Sequence, residues 1–317
     1  MVVVIHTQRF DPTADHVIAE LNSRQVPVFR FDSSDFPLSL AVTARLSGSG
    51  WAGTLRGHGR AVSLDDITGI YHRRPSGFRF PPDMAESVQR WAEAEARMGL
   101  GGILSALDCW LNHPARIAAA EFKPVQLDAA MRAGLRVPAT MVTNDPAQAA
   151  KFAETTGTVI YKPLASPAFD RDGQAQLIYA SIVGPGDLPD NATGLTAHLF
   201  QEWVDHSHAV RVTVVDGRFF ASAIHAGSAA AHVDWRSDYR SLRYEATEVP
   251  APARHGITVL MNDLGLRFGA LDFLVNHAGD WIFLEINPNG QWAWIEDQTG
   301  LPIAAAIADA LEGRKTT

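Results

Sequence analysis

One short turn, His277-Ala-Gly-Asp280, separates two apolar runs, residues 270–275 and 281–287, near the C-terminal end of the chain. Two such runs around Gly and Asp predict a β-hairpin. One strand carries Asp272 and its partner carries Glu285 and Asn287. Positions two apart on a strand face the same way, so Glu285 and Asn287 share a face, and the hairpin can bring Asp272 beside them. Carboxylates are rarely tolerated among buried apolar neighbours unless something pairs them. Polar groups that merely end two strands are the simpler alternative. Three oxygen donors on an apolar sheet instead suit Mg²⁺, a hard cation commonly held by carboxylates together with substrate phosphates.

The remaining sequence limits what such a centre can serve. The chain has 317 residues, 46% of them hydrophobic and 20% charged, enough for two or three lobes with a large core. A net charge of −8 argues against bulk nucleic-acid binding or attachment to an anionic membrane, so an acidic partner must meet local basic clusters. Cys109 is the single cysteine, which excludes an intrachain disulfide, and with no evident base beside it a packed thiol is expected. The opening Met1-Val-Val-Val-Ile5 is too short for a signal segment or a membrane span and reads as a first buried strand; a cytoplasmic protein is expected.

Strands at 2–5 and 26–31 around a helix at 15–25 suggest a βαβ opening. A hairpin around Ser47-Gly-Ser-Gly50, a short strand from Ile70 to Pro75 and a long helix over 83–107 follow. Pro114 opens a helix expected to run to about Gly134. Strands are then expected at 137–142 and 158–163, a helix from Asp145-Pro146 to Gly157, and a strand over 176–183 that pairs with 158–163. The rest is strand-rich, at 197–204, 209–215, 218–225, 267–275 and 281–287, with an Asp216-Gly217 hairpin turn and helices at 252–264 and 301–312. These elements divide into 1–112, 113–195 and 196–317.

Lys162 ends an apolar strand; pointing inward it would need an anion such as a nucleotide phosphate, pointing outward it would snorkel. Lys123 sits on a predicted helix, where lysines normally face water. The segment Gln201-Glu202-Trp203-Val204 enters a turn, so its backbone can face a nucleobase edge and its carboxylate ribose hydroxyls. Arg211, on the next strand, could neutralise charge on a transferring phosphoryl group. His206, His208, His225 and His232 carry no accompanying cysteine, so polar packing or substrate contact is expected rather than zinc, although the first two would share a strand face. Trp292 and Trp294 are expected in the core.

Taken jointly, Val-Ile-Tyr-Lys162-Pro, Phe-Gln-Glu202-Trp-Val, Ala-Val-Arg211-Val and the set Asp272, Glu285 and Asn287 resemble the ATP-grasp superfamily across roughly residues 112–312. Tyr71-His-Arg73-Arg74-Pro75, Glu121-Phe-Lys123-Pro124, Asp234-Trp-Arg236 and Asn287-Pro-Asn-Gly290-Gln-Trp292 are similar to the ATP-grasp ligases that mature ribosomal peptides, the microviridin-type or graspetide macrocyclases. The resemblance implies an α/β fold of three lobes: an N-terminal pre-ATP-grasp domain, a central domain and a C-terminal domain with nucleotide between the last two. ATP and Mg²⁺ are the implied cofactors, and a precursor peptide with a leader and an acidic core is the implied partner. A homodimer is compatible with it.

The implied reaction activates Asp or Glu side chains as acyl phosphates and joins them to Ser/Thr hydroxyls or Lys amines, releasing ADP and phosphate. Lys123 and Lys162 would hold phosphates, Arg211 the transferring group, and Asp272, Glu285 and Asn287 the metal. Arg236 with Asp234, then Arg73 and Arg74, would guide the peptide carboxylate. Arg240 and Arg243 read as a solvated charged face. The segment after Lys162, Leu164 to Gly173, is not glycine-rich as many phosphate loops of this superfamily are; Ser166 or backbone groups would take that role. A ligase adding a free amino acid to a peptide, and a non-catalytic nucleotide-binding regulator, are the competing readings.

Overall fold

The computed structural model describes residues 1–48, 50–165, 168–171, 174–184, 187 and 190–313. In the first lobe β1 (Val2–His6), α1 (Pro12–Ser23) and β2 (Val28–Phe31) form the expected βαβ unit. Asp11 caps α1 by accepting from the Ala14 N–H, and Pro12 occupies the first turn, where its missing N–H costs nothing. β3 (Leu40–Ser47), β4 (Gly50–Gly57) and β5 (Arg60–Ser63) make an antiparallel sheet, while β6 (Ile67–His72) joins β1 and β2 in a parallel one. The long helix α2 (Glu86–Ser105) follows, and half-buried Cys109 packs against the core beside it.

The helix predicted to run from Pro114 is two helices, α3 (Pro114–Ala120) and α4 (Lys123–Arg132). Pro124 forces the break, because inside one continuous helix it would remove a hydrogen bond and clash with the preceding turn. β7 (Thr140–Thr143), α5 (Pro146–Thr156) and β8 (Val159–Lys162) come next. The strand expected over 176–183 is split: β9 (Ala168–Arg171) pairs with β10 (Gln174–Leu177), and β11 (Ser181–Val183) pairs with β8. After α6 (Asp190–Thr193), β12 (His198–Glu202) inserts between β7 and β8. The central unit therefore continues past residue 195, where the sequence division had placed the last domain. Ser166 lies outside the described residues.

The third lobe is a five-stranded antiparallel sheet in the order β15-β14-β13-β16-β17. Its strands are β13 (His208–Val215), β14 (Arg218–His225), β15 (Arg243–Thr247), β16 (Phe268–Val275) and β17 (Trp281–Asn287). Asp216 and Gly217 both have positive φ, as the tight turn between β13 and β14 demands. Helices α7 (Ala229–Val233), α8 (Ala251–Leu264), α9 (Ala293–Thr299) and α10 (Ile303–Glu312) complete the lobe.

α9 and α10 return to the first lobe: Trp292, Ile303 and Ile307 share one core with Val3, Ile5 and Tyr71. Gly69 makes this return possible, since a Cβ there would stand 2.2 Å from the Leu311 carbonyl oxygen. No helix among the described residues is long and apolar enough to cross a membrane.

Candidate active site

The predicted hairpin forms, closed by Asn276, whose side-chain oxygen accepts from the Ala278 and Asp280 N–H groups. Asp272 pairs in register with Glu285, and a bulge directly after Asp272 changes the twist there. Asn287 lies two residues beyond Glu285 on the same face and donates to Glu285 Oε1 at 3.3 Å. Gln126 of α4 fixes the strand: its Nε2 donates to the Ile286 carbonyl at 2.9 Å and its Oε1 accepts from the Ile286 N–H at 3.0 Å. Gly290 lets the chain fold back beneath the site, for a Cβ would lie 2.5 Å from Ala270 Cβ and 3.0 Å from Asn287 Cβ.

These donors face a cavity of about 910 Å³ between the central sheet and the C-terminal lobe. Lys162 points into it and donates to Gln201 Oε1 at 2.7 Å, while Gln201 Nε2 donates to Thr140 Oγ1 at 2.9 Å. Burial pulls Lys162 down to about 8; Glu285 and Asp234 oppose the shift, and Lys123 and Arg236 add to it. Lys123, on the first turn of α4, is ion-paired with Glu285. Burial pushes Glu285 upward, but Lys123, Arg236 and Lys162 overcome it and hold the carboxyl well below its ordinary range. Asp272 goes the other way: burial raises it, Arg211 opposes, Glu285 adds, and it stands at about 6.

The segment expected to face a nucleotide, Gln201 to Val204, lies at the end of β12. The Glu202 and Trp203 N–H groups donate to the Ala139 and Thr158 carbonyls, joining it to the flanking strands. Glu202 Oε2 also accepts from the Ala139 N–H at 3.2 Å. Glu202, Trp203 and Val204 all line the cavity. Arg236 is clamped by Asp234 through two bonds of 2.9 Å, and Asp234 accepts the buried Ala180 N–H from the central lobe. Burial works against the Arg236 charge, but Asp234, Glu285 and Asp272 raise its pKa above the usual arginine value.

Two predicted residues sit differently from expectation. Arg211 is absent from the cavity lining; it lies behind Asp272, 3.1 Å from Oδ1, with its guanidinium over the Trp235 ring at 5.5 Å. That pair is close but misaligned, and Nε and Nη1 have no hydrogen-bond acceptor. Arg73 is 1% exposed and its head is committed to Asp11 at 3.2 Å, the Gly290 carbonyl and Gln291. It is a strut between lobes rather than a free anchor for substrate. Arg74 is exposed at the cavity wall and keeps that option.

His206 stacks on His232 at 4.2 Å, and the His208 and His225 rings lie tilted at 5.2 Å; His206 precedes β13, so it shares no strand face with His208. Among the described residues no three His, Cys, Asp or Glu side chains cluster to hold a metal ion. The set built from Asp272, Glu285 and Asn287 has two carboxylates and an amide, which suits Mg²⁺ completed by phosphate oxygens better than zinc. Glu285 already draws a stand-in cation, the Lys123 ammonium, and burial raises the Asp272 carboxyl above its ordinary value, a shift that a bound divalent cation would oppose. The residues fit the metal.

Gln126, Thr140 and Trp235 escaped the sequence reading. Gln126 had one signal: it lies three residues after Lys123, hence one turn along the same helix.

Comparisons with known proteins bear on the fold as a whole. Residues 1–118 match the family model for the MvdD pre-ATP grasp domain. A Chryseobacterium gregarium RiPP-associated ATP-grasp ligase, solved with ADP and a leader and core peptide, superposes with a TM-score of 0.90 at 26% identity, over 99% of this chain and 97% of its own. The macrocyclase MdnC of Microcystis aeruginosa MRC, bound with precursor peptide MdnA, gives 0.85 at 27% identity over 99% and 100%. The macrocyclase MdnB from the same organism gives 0.80 at 28% identity over 98% of each chain. No curated protein matches by sequence. The fold is that of the ATP-grasp ligase structures, with a pre-ATP-grasp lobe. Within that class the chain resembles the ATP-grasp ligases of ribosomal peptide maturation, the microviridin-type or graspetide group.

Proposed function

We propose that this chain is an ATP-dependent, ADP-forming ligase that activates Asp or Glu side chains of a ribosomally made precursor peptide and joins them to Ser/Thr hydroxyls or Lys amines of the same peptide. One observation carries the reading: Asp272, Glu285 and Asn287 meet Lys123, Lys162 and Arg236 around a single cavity that is large enough for a nucleotide and a carboxylate.

A carboxylate is a poor electrophile and must be given a leaving group. Its oxygen attacks the terminal phosphorus of ATP, the bond to the bridging oxygen breaks, and ADP departs. The acceptor hydroxyl or amine then attacks the acyl carbon, phosphate leaves with the bonding electrons, and the acceptor proton is released. Lys162 and Lys123 hold the phosphates, and Lys123 must exchange Glu285 for them. Bound at Asp272, Glu285 and Asn287, Mg²⁺ would offset phosphate charge. Arg236, oriented by Asp234, meets the peptide carboxylate, with Arg74 as a second cation at the wall. Arg211 supports Asp272 from behind and keeps two unused donors near the reacting region. Such preorganised charge is worth roughly 10²–10³ in rate per donor.

The test is incubation with ATP, Mg²⁺ and a short peptide with a Thr/Ser- and Asp/Glu-rich tail encoded beside the gene. The proposal expects ADP release and one water lost from the peptide per bond formed. A mass gain of one residue would instead indicate an amino-acid ligase, and absence of peptide-dependent ADP release would leave a nucleotide-binding regulator.

A further inference from the structure

Three neighbouring strands of the central sheet carry one polar chain toward the cavity. Gln201 on β12 stands opposite Thr140 on β7, and Leu199, two residues earlier, stands opposite Lys162 on β8. Positions two apart share a face, so Thr140, Gln201 and Lys162 lie on the same side of the sheet. Lys162 and Gln201 line the cavity, whereas Thr140 is not among the residues that line it. Gln201 is 1% exposed, so its amide must find its partners within the protein.

The chemistry of each group fixes the direction of this chain. The Pro138 carbonyl can only accept, so the Thr140 hydroxyl donates its one proton there, at 2.9 Å. Toward Gln201 the same hydroxyl can then only accept, and Gln201 Nε2 donates to it at 2.9 Å. That leaves the amide oxygen facing Lys162, whose ammonium can only donate and does so at 2.7 Å. With the amide reversed, two donors would meet at Lys162, and Thr140 would have to abandon Pro138. Burial disfavours the Lys162 ammonium, which makes an acceptor beside it matter. Gln201 holds one of its three hydrogens, and two remain for an anion in the cavity.

We propose that Thr140 is a positioning residue for the nucleotide: through Gln201 it sets the Lys162 ammonium in place before the phosphates arrive. A long lysine side chain that is already ordered loses less freedom on binding. Thr140 acts only through its neighbour. The inference rests on the ligase reading, which assigns Lys162 to phosphate. The plain alternative is that Thr140 merely satisfies a buried amide and closes a local turn to Pro138.

Titration calorimetry on the full chain, with ATP and Mg²⁺ and separately with adenosine, tells the two roles apart. Thr140→Val keeps the shape and removes the hydroxyl; it should weaken ATP about fivefold and leave adenosine unchanged. Thr140→Ser should restore the wild-type value. In a Lys162→Met background Thr140→Val should change ATP affinity no further, because the group it positions has gone. If the valine variant does not fold, Gln201→Met removes the same link and carries the same expectation for ATP in the two backgrounds. Equal weakening of ATP in both backgrounds, or loss of adenosine together with ATP, would reduce Thr140 to a structural part and overturn the inference. A wild-type chain that binds no ATP overturns the ligase reading and this inference together. ATP binding that is indifferent to Thr140→Val removes this inference alone.

Discussion

Lys162 shows how one buried charge can report ligand chemistry. In the free chain it stands at about 8 because the cavity desolvates it and Lys123 and Arg236 repel it. A triphosphate beside it favours the ammonium form and raises its pKa in the complex. The sign follows: ATP binding is strongest below about 8 and weakens as pH rises through that value, by about tenfold per unit at most. Lys162→Met should weaken binding at neutral pH and flatten the profile; titration calorimetry across the range checks both, and an unchanged slope would assign the proton elsewhere. The sequence could put Glu285 and Asn287 on one face because strand alternation fixes which residues point together, whereas it left Lys162 open between an inward and an outward course. It could not place Arg73, whose partners Asp11 and Gln291 lie 62 and 218 residues away.

The site depends on one hairpin and one helix. Gln126 replaces a neighbouring strand for β17 by bonding both backbone groups of Ile286, the residue between Glu285 and Asn287. Gln126→Leu leaves those groups buried and unpaired, costing about 1–3 kcal/mol. Loss of the support should also weaken Mg²⁺ binding about 10–100-fold. Thermal melting and metal titration test the pair of effects, and metal affinity at wild-type level would show that β17 holds its shape unaided. The hairpin was legible because its runs and turn agree. β15, α7 and α9 were not, being only five to seven residues long and too short for periodicity to speak. Pro124 is a readable break in the helix after Pro114, since a proline is tolerated in a first turn but not in a helix interior.

Across the whole molecule the lobes are interlocked. The chain returns through α9 and α10 to complete the core of the first lobe, and Arg73 ties Asp11 to the loop after β17. Arg73→Met strands the Asp11 carboxylate in a buried site and should cost about 3–5 kcal/mol. Arg74→Ala should leave stability unchanged and raise the KM for peptide. Denaturant melts of the two variants separate strut from anchor, and equal stability would refute the division. Asp11 is held below its ordinary value because Arg73 overcomes the upward push of burial. Its contribution to stability is therefore present above the unfolded carboxylate pKa and lost as acid protonates the folded form. The opening α/β lobe could be read from the order of elements, whereas the return of the chain into it could not, because periodicity carries no information about which distant faces meet.

The most direct test of the account follows oxygen. A peptide substrate with ¹⁸O in its Asp and Glu side-chain carboxylates is incubated with the chain, ATP and Mg²⁺, and the released phosphate is weighed. Activation as an acyl phosphate predicts one ¹⁸O in each phosphate molecule formed with a new bond, and none with Glu285→Gln, which should form no product. Phosphate free of label alongside a dehydrated peptide would contradict the account.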